Sequence, residues 1–234
     1  MHLSEKISMS TTSYIFVAGA SRGVGQEIAK YLTAQQIQVK ALLRTEVAAK
    51  ELEAIGVHPI LGDALNVDDV ERAILGDEPI QAVISTLGGL PTDDVKPDYL
   101  GNKNLIDAAV KAGVQRFILV TSIGSGDSAV SMPPQALATL KPVLILKEQA
   151  EQYLINSGLN YTIIRPGGLK SEPATNNGIL TTDPRIVGSI HRADVAQLVC
   201  RCLNSDHAHH QVLSALDRNM IYPGLPEFVE FSLG

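Results

Sequence analysis

The sequence predicts an α/β protein: a doubly wound parallel sheet in a single domain over residues 14–234, with a small C-terminal substrate lobe. Three observations carry this. Short apolar runs alternate with stretches of helical period from residue 14 onward. The first apolar run enters the first helix through a glycine-rich turn. The length of 234 residues suits one core, and a chain of that size buries roughly 70–75% of the surface its unfolded form exposes. Strands separated by helices form βαβ units, and their crossovers are right-handed almost without exception.

Each element has its own signal. Tyr14 to Ala18 is continuously apolar, as a strand covered on both faces must be. A helix follows from about Val24 to Ala34, its apolar stripe being Ile28, Ala29, Tyr31 and Leu32. Val39 to Leu43 is the second strand. Glu46 to Ile55 is helical and stops at Gly56, a natural left-handed cap. A short strand, His58 to Leu61, precedes a helix over Asp68 to Leu75. Gln81 to Thr86 and Arg116 to Ser122 are strands, joined by a helix from about Asp98 to Lys111 that Gly113 ends. Lys147 to Asn156 is helical, Tyr161 to Pro166 a strand, Ala193 to Leu203 the last long helix, and Gln211 to Ala215 the last strand. Two stretches lack periodicity, 124–142 and 167–184. Both follow strands, so both are expected as loops over the carboxyl edge of the sheet, where such folds bind ligands. The first of them is equally consistent with an ordinary surface connection.

Composition excludes several classes. The net charge of −6 argues against nucleic acid as a partner, which calls for a basic face. Aromatics at 4% are too few for a base-stacking platform. No apolar run approaches the ~20 residues of a membrane span. Residues 1–13 are mixed and polar, read as a disordered lead-in and not as a secretory signal. The two cysteines, Cys200 and Cys202, sit two apart on a helix and point to different faces, so a reduced, cytoplasmic setting is expected. His207, His209 and His210 lie in a loop without suitable ligand spacing, so no metal is expected. Asp194 is expected to stabilise the start of its helix.

The glycine turn carries the first functional signal. It runs Gly19, Ala20, Ser21, Arg22, Gly23, Val24, Gly25 between the first strand and the first helix. Gly19 allows the tight turn, Gly23 lets backbone approach a pyrophosphate, and Gly25 lets helix pack close to strand. The helix N-terminus adds free N–H groups and partial positive charge. This placement makes the fold Rossmann-type and the ligand a dinucleotide. An acidic residue at the end of the second strand would select NAD, but Arg44 stands there, with Arg22 inside the turn. Two guanidiniums near the ribose favour a 2′-phosphate, hence NADP(H). Glu46 is the competing reading, although it lies nearer a helix N-terminus, where it serves the macrodipole.

GASRGVG (19–25), GDAL (62–65), ISTLGG (84–89), the run from Gly101 to Gly124, the run from Ala150 to Leu169 and RADVA (192–196) together resemble the NmrA-like group of atypical short-chain dehydrogenases/reductases. The resemblance covers about Tyr14 to Leu203. It implies that Asp63, with Ala64 beside it, meets the adenine and that Thr86, Leu87 and Gly88 line the adenosine side. It implies that Thr121 and Ser122 are the hydroxyls at the end of strand five. Lys147 would bond the nicotinamide ribose, and Pro166, Gly167, Gly168 and Leu169 would pass its carboxamide. Arg44 matches the NADP-selecting position. Ser122 and Lys147 are the catalytic candidates. Two departures stand out. Many relatives have glycine where Arg22 stands, and active short-chain enzymes have Tyr four residues before Lys147, where this chain has Val143.

Reducing an isolated carbonyl needs a positioned acid, and Val143 supplies none. A conjugated acceptor spreads the incoming charge itself. The sequence is similar to the tyrosine-less flavin reductase/biliverdin reductase B type in the Thr121-Ser122 pair after strand five, in Pro133-Pro134 and in its compact C-terminus. The expected function is therefore an NADPH-dependent reductase of a small planar acceptor such as FMN, a quinone or biliverdin, in a monomer or weak dimer. The alternative is a non-catalytic NADP(H)-binding sensor or assembly factor, motivated by the same missing tyrosine.

Overall fold

The computed structural model describes residues 13–89 and 93–234. All of the polar lead-in except Ser13 lies outside the described residues. Strands β1 (Tyr14–Ala18), β2 (Val39–Leu43), β3 (Val57–Leu61), β4 (Ile80–Ser85), β5 (Arg116–Val120) and β6 (Tyr161–Pro166) alternate with helices α1 (Gly23–Ala34), α2 (Glu46–Glu53), α3 (Val67–Ile74), α4 (Leu100–Lys111) and α5 (Pro134–Ile155). Strands β7 (Gly168–Lys170), β8 (Gly178–Thr181) and β9 (Ser189–His191), helix α6 (Arg192–Leu203) and strand β10 (Gln211–Asp217) complete the chain.

The main sheet has eight strands in the order β3-β2-β1-β4-β5-β6-β10-β8. All neighbours are parallel except β10 and β8. The doubly wound expectation holds. The C-terminal residues widen this sheet and add a two-stranded one, β7 with β9. The order reverses between β1 and β4, the switch point where such sheets open a crevice. β1, β2 and β5 are buried along their whole length, which is why they read as largely apolar runs, broken only by the buried Lys40 and Arg116. One core layer packs α1 and α6 against the sheet through Ile28, Leu32, Val195 and Val199, and the other packs α3, α4 and α5 through Val70, Leu105, Ile106 and Leu154. Among the described residues no helix is long and apolar enough to cross a membrane.

Two expectations are corrected. The segment 124–142 is not a loop: it holds a 3₁₀ turn, Gly126–Ser131, and then the first nine residues of α5. Proline misleads here. Pro134 is the first residue of the helix, where a missing N–H costs nothing, and Pro142 interrupts the ladder without ending a 22-residue helix. The segment 167–184 is likewise not free loop, since it carries β7 and β8. At three and four residues, these strands are too short to show a period.

Arg116 illustrates how the far edge of the sheet is closed. It is buried and donates to the carbonyls of Asn160 and of Cys202, in the last turn of α6. There it meets the negative end of the helix dipole. A cavity of about 350 Å³ lies beside it, away from the switch point. Cys200 and Cys202 are free, buried thiols, and burial pushes both up to about 12.

Candidate functional site

A cleft of about 930 Å³ opens over the carboxyl edge of β1, β2, β4, β5 and β6. Its centre is the glycine turn. Gly19 has φ +83° and Gly23 φ +60°, a backbone that side chains strain to adopt. A Cβ on Gly19 would also lie 2.6 Å from Thr86 Oγ1. Gly25 has a different reason: a Cβ there would run into the Gly19 carbonyl, so glycine permits the helix to sit on the strand. Arg22 precedes α1 in an extended conformation and no side chain caps the helix. The first N–H groups of α1 therefore stay free to face the cleft, an anion seat by construction.

The sequence-derived residues divide into two sets. Gly19, Ser21, Arg22, Gly23, Val24, Arg44, Asp63, Ala64, Thr86, Leu87, Gly88, Thr121, Ser122, Lys147, Pro166 and Leu169 all line the cleft. Ala20, Gly25, Gly167 and Gly168 do not. Ala20 is fully buried in the core. A Cβ on Gly167 would collide with the Gly188 carbonyl, and Gly168 belongs to the β7–β9 pair. Gly25, Gly167 and Gly168 thus shape the walls through close packing and strand pairing.

At the end of the cleft over β2, Arg22 and Arg44 are exposed, and among the described residues neither pairs with a carboxylate. Thr45 caps α2 by accepting from Ala48 N, while Glu46 lies in that first turn, at the positive end of the dipole. Glu46 is absent from the cleft lining. Asp63 is held by two bonds: its N–H donates to Asp69 Oδ2 at 2.9 Å and its Oδ1 accepts from Leu65 N at 2.9 Å. The Asp63 N–H, and then Arg72, keep the Asp69 carboxyl below its ordinary range. Thr86 stitches β4 to β1 and the glycine turn, its N–H donating to the Ala18 carbonyl at 3.0 Å and its Oγ1 to the Gly19 carbonyl at 3.2 Å.

At the other end, Thr121 Oγ1 donates to Glu151 Oε1 at 2.6 Å. Glu151, 1% exposed, also binds Arg165, which pairs with Asp127 as well. Ser122 Oγ donates to the Ile123 carbonyl at 2.9 Å. Lys147 Nζ sits 2.9 Å from Asp98 Oδ1, its partner among the described residues. Asp98 is fully buried, and its Oδ2 accepts from Gly89 N at 2.7 Å. Gly88 covers this pair: a Cβ there would lie 3.5 Å from both Lys147 Nζ and Asp98 Oδ1. Val143 lies one helical turn before Lys147 on α5, so the cleft has no phenol at that position.

Sequence reasoning missed Asp98 as the partner of Lys147, and it missed the outer wall. Ser171, Glu172, Pro173, Arg192 and Ala193 line the cleft too. Backbone donors, foremost its own N–H, and the neighbouring His191 hold Glu172 below the ordinary carboxylate range. Asp194 lies in the first turn of α6, as expected, and its carboxylate also accepts from Thr175 N at 2.9 Å and Asn176 N at 2.8 Å, pinning the chain that returns to β8. His191, Asp194 and Asp217 gather within 4.8 Å. Both aspartates already take backbone N–H groups or the Thr175 hydroxyl, and these bonds account for the cluster as a structural knot.

Comparisons with known proteins agree with this cleft. Residues 19–206 match the NAD(P)H-binding family model. An uncharacterised chloroplastic protein of Arabidopsis thaliana is 34% identical over 88% of this chain and 78% of its own length. Sanguinarine reductase of Eschscholzia californica is 26% identical over 84% of this chain and 86% of its own. The solved structure of ChuY, an anaerobillin reductase from Escherichia coli O157:H7, superposes with a TM-score of 0.82 at 34% identity, covering 89% of this chain and 98% of that one. The expected cofactor, NADP(H), fits both family and cleft: its pyrophosphate suits the uncapped helix and glycine cradle, and its 2′-phosphate suits the unpaired guanidiniums. The chain belongs to the NAD(P)H-binding family of atypical short-chain dehydrogenases/reductases.

Proposed function

We propose that the protein is an NADPH-dependent reductase that passes hydride to a planar, conjugated acceptor: a flavin, a quinone or a biliverdin-like tetrapyrrole. One observation carries this reading. Val143 stands one turn before Lys147, where an alcohol–ketone enzyme needs its acid. The nearby hydroxyls do not replace it. Thr121 is committed to Glu151, and Ser122 is an alcohol at an ordinary position that donates to a backbone carbonyl. An acceptor that delocalises charge over its own π system needs only to be held at reacting distance.

When bound, NADPH supplies the hydride, and the second hydrogen reaches the acceptor as a proton from water. Arg22 and Arg44 hold the 2′-phosphate end and favour NADPH over NADH. Lys147, held in place by Asp98, would hydrogen-bond the nicotinamide-side ribose. Pro166 and Leu169 wall the ring side, and Leu169, 40% exposed, offers the acceptor an apolar face. The match to ChuY supports a tetrapyrrole among the candidates.

The test follows the loss of reduced-nicotinamide absorbance without oxygen, with FMN, a quinone and biliverdin in turn. Oxidation with at least one, faster with NADPH than NADH, is expected. Tight NADPH binding with no turnover on any of the three overturns the reading and favours a non-catalytic cofactor-binding protein.

A further inference from the structure

Among the described residues, Arg192 is the one cleft cation that comes from the C-terminal part of the chain. It is the first residue of α6, yet its side chain reaches across to the glycine turn. Its Nε lies 3.7 Å from where a Cβ on Gly23 would stand, and its Cδ 4.0 Å from the same point. The guanidinium donates once, from Nη1 to Ser171 Oγ at 2.7 Å. Among the described residues it pairs with no carboxylate. A guanidinium has five donors, so four remain.

The electrostatics around it are unbalanced. Gly23 begins α1, and no side chain caps that helix. Arg192 begins α6, which has no side-chain cap either. The first residues of both helices line the same cleft, and the Arg192 guanidinium reaches the start of α1. The acid in the first turn of α6, Asp194, is turned away to Thr175 and Asn176. The acid on the outer wall, Glu172, faces His191 at 3.4 Å. Free N–H groups and a guanidinium with unused donors favour an anion between them, and the cleft is open at that place.

We propose that Arg192 is a pyrophosphate clamp: it closes over the cofactor from the side opposite the α1 N–H groups and bridges the phosphates to Ser171. The inference rests on the dinucleotide reading of the cleft. It assigns Arg192 a task distinct from that of Arg44. The pyrophosphate is common to NADPH and NADH, whereas only NADPH carries the 2′-phosphate. A clamp on the shared group strengthens both cofactors equally. Because Ser171 belongs to the outer wall, the same contact ties that wall to the bound nucleotide.

The experiment measures dissociation constants of NADPH and NADH for the full chain and for Arg192→Gln, Arg192→Lys and Arg44→Ala. Thermal denaturation without nucleotide checks that each variant is folded. For Arg192→Gln both constants should rise about 10–100-fold, the scale of a lost charge-assisted bond. Their ratio should stay within about threefold of the unaltered protein. Arg192→Lys, which keeps charge but loses the fork, should recover part of the loss. Arg44→Ala should change the ratio instead. The clamp is overturned if Arg192→Gln binds both nucleotides as the unaltered chain does. It is equally overturned if only NADPH weakens, which would make Arg192 a reader of the 2′-phosphate. Failure of the unaltered chain to bind either nucleotide would sink the dinucleotide reading along with it.

Discussion

Asp98 gives the sharpest test of how the cleft holds its lysine. Its carboxylate is fully buried, with Lys147 Nζ 2.9 Å from one oxygen and the Gly89 N–H 2.7 Å from the other. Asp98→Asn keeps the volume but not the charge. If the amide oxygen continues to accept from Gly89, the amide NH₂ faces the ammonium, and the contact turns repulsive. Breaking a buried pair costs about 3–5 kcal/mol. The Lys147 side chain retains 15% exposure and can turn toward the cleft for water, so the loss belongs at about 2–3 kcal/mol. For a chain of this length that lowers Tm by about 5–10 °C. Lys147→Met should cost more, because it strands a carboxylate with no exposure at all. The double variant removes both charges and should be more stable than Lys147→Met alone, with a coupling of about 2 kcal/mol. Urea denaturation of the four proteins without nucleotide gives the cycle. Additive losses, with coupling under about 0.5 kcal/mol, would refute the view that the pair is one electrostatic unit.

Four further outcomes are expected. Arg44→Ala should weaken NADPH about 10–100-fold while moving NADH less than about threefold, read by fluorescence titration. Glu151→Gln strands the buried Arg165 guanidinium and should cost about 3–5 kcal/mol by urea denaturation, whereas Asp127→Asn, at a carboxylate 69% exposed, should cost less than about 1 kcal/mol. Gly25→Ala forces a methyl against the Gly19 carbonyl and should cost about 1–3 kcal/mol while weakening NADPH, seen in Tm and titration together. Cys200 and Cys202 should resist thiol reagents until the protein unfolds, since burial pushes both up to about 12. That raised value contributes full stability below the ordinary thiol range, at about pH 8.5. Stability should then fall as pH climbs toward 12, because the unfolded chain ionises first.

What the sequence made legible was whatever is encoded locally. β6 spans Tyr161–Pro166, β1 Tyr14–Ala18 and β2 Val39–Leu43, each as the apolar runs predict, because a strand buried on both faces writes its limits in its own residues. The glycine turn was legible for the same reason: turn, close approach and helix packing are demands on three successive glycines. α5 was half missed because Pro133, Pro134 and Pro142 read as breakers, although one begins the helix and one sits inside it. β7 and β9 were missed because each needs the other, with Gly168 against Ser189, and neither is long enough to announce itself.

The site shows the same division more sharply. The residues that touch a nucleotide by backbone shape were legible, and those that act through charge across the fold were not. Asp98 meets Lys147 only because α4 and α5 lie side by side on one face of the sheet. Arg192 meets Gly23 only because α6 packs along α1 on the other. Nothing near either residue in the chain announces its partner. One signal was nonetheless present. Arg22, Arg44 and Arg192 are three cations in a chain of net charge −6, each at the mouth of a strand–helix unit. In a protein with acid to spare, guanidiniums left without carboxylates at the carboxyl edge of a parallel sheet mark the place where the ligand brings the negative charge.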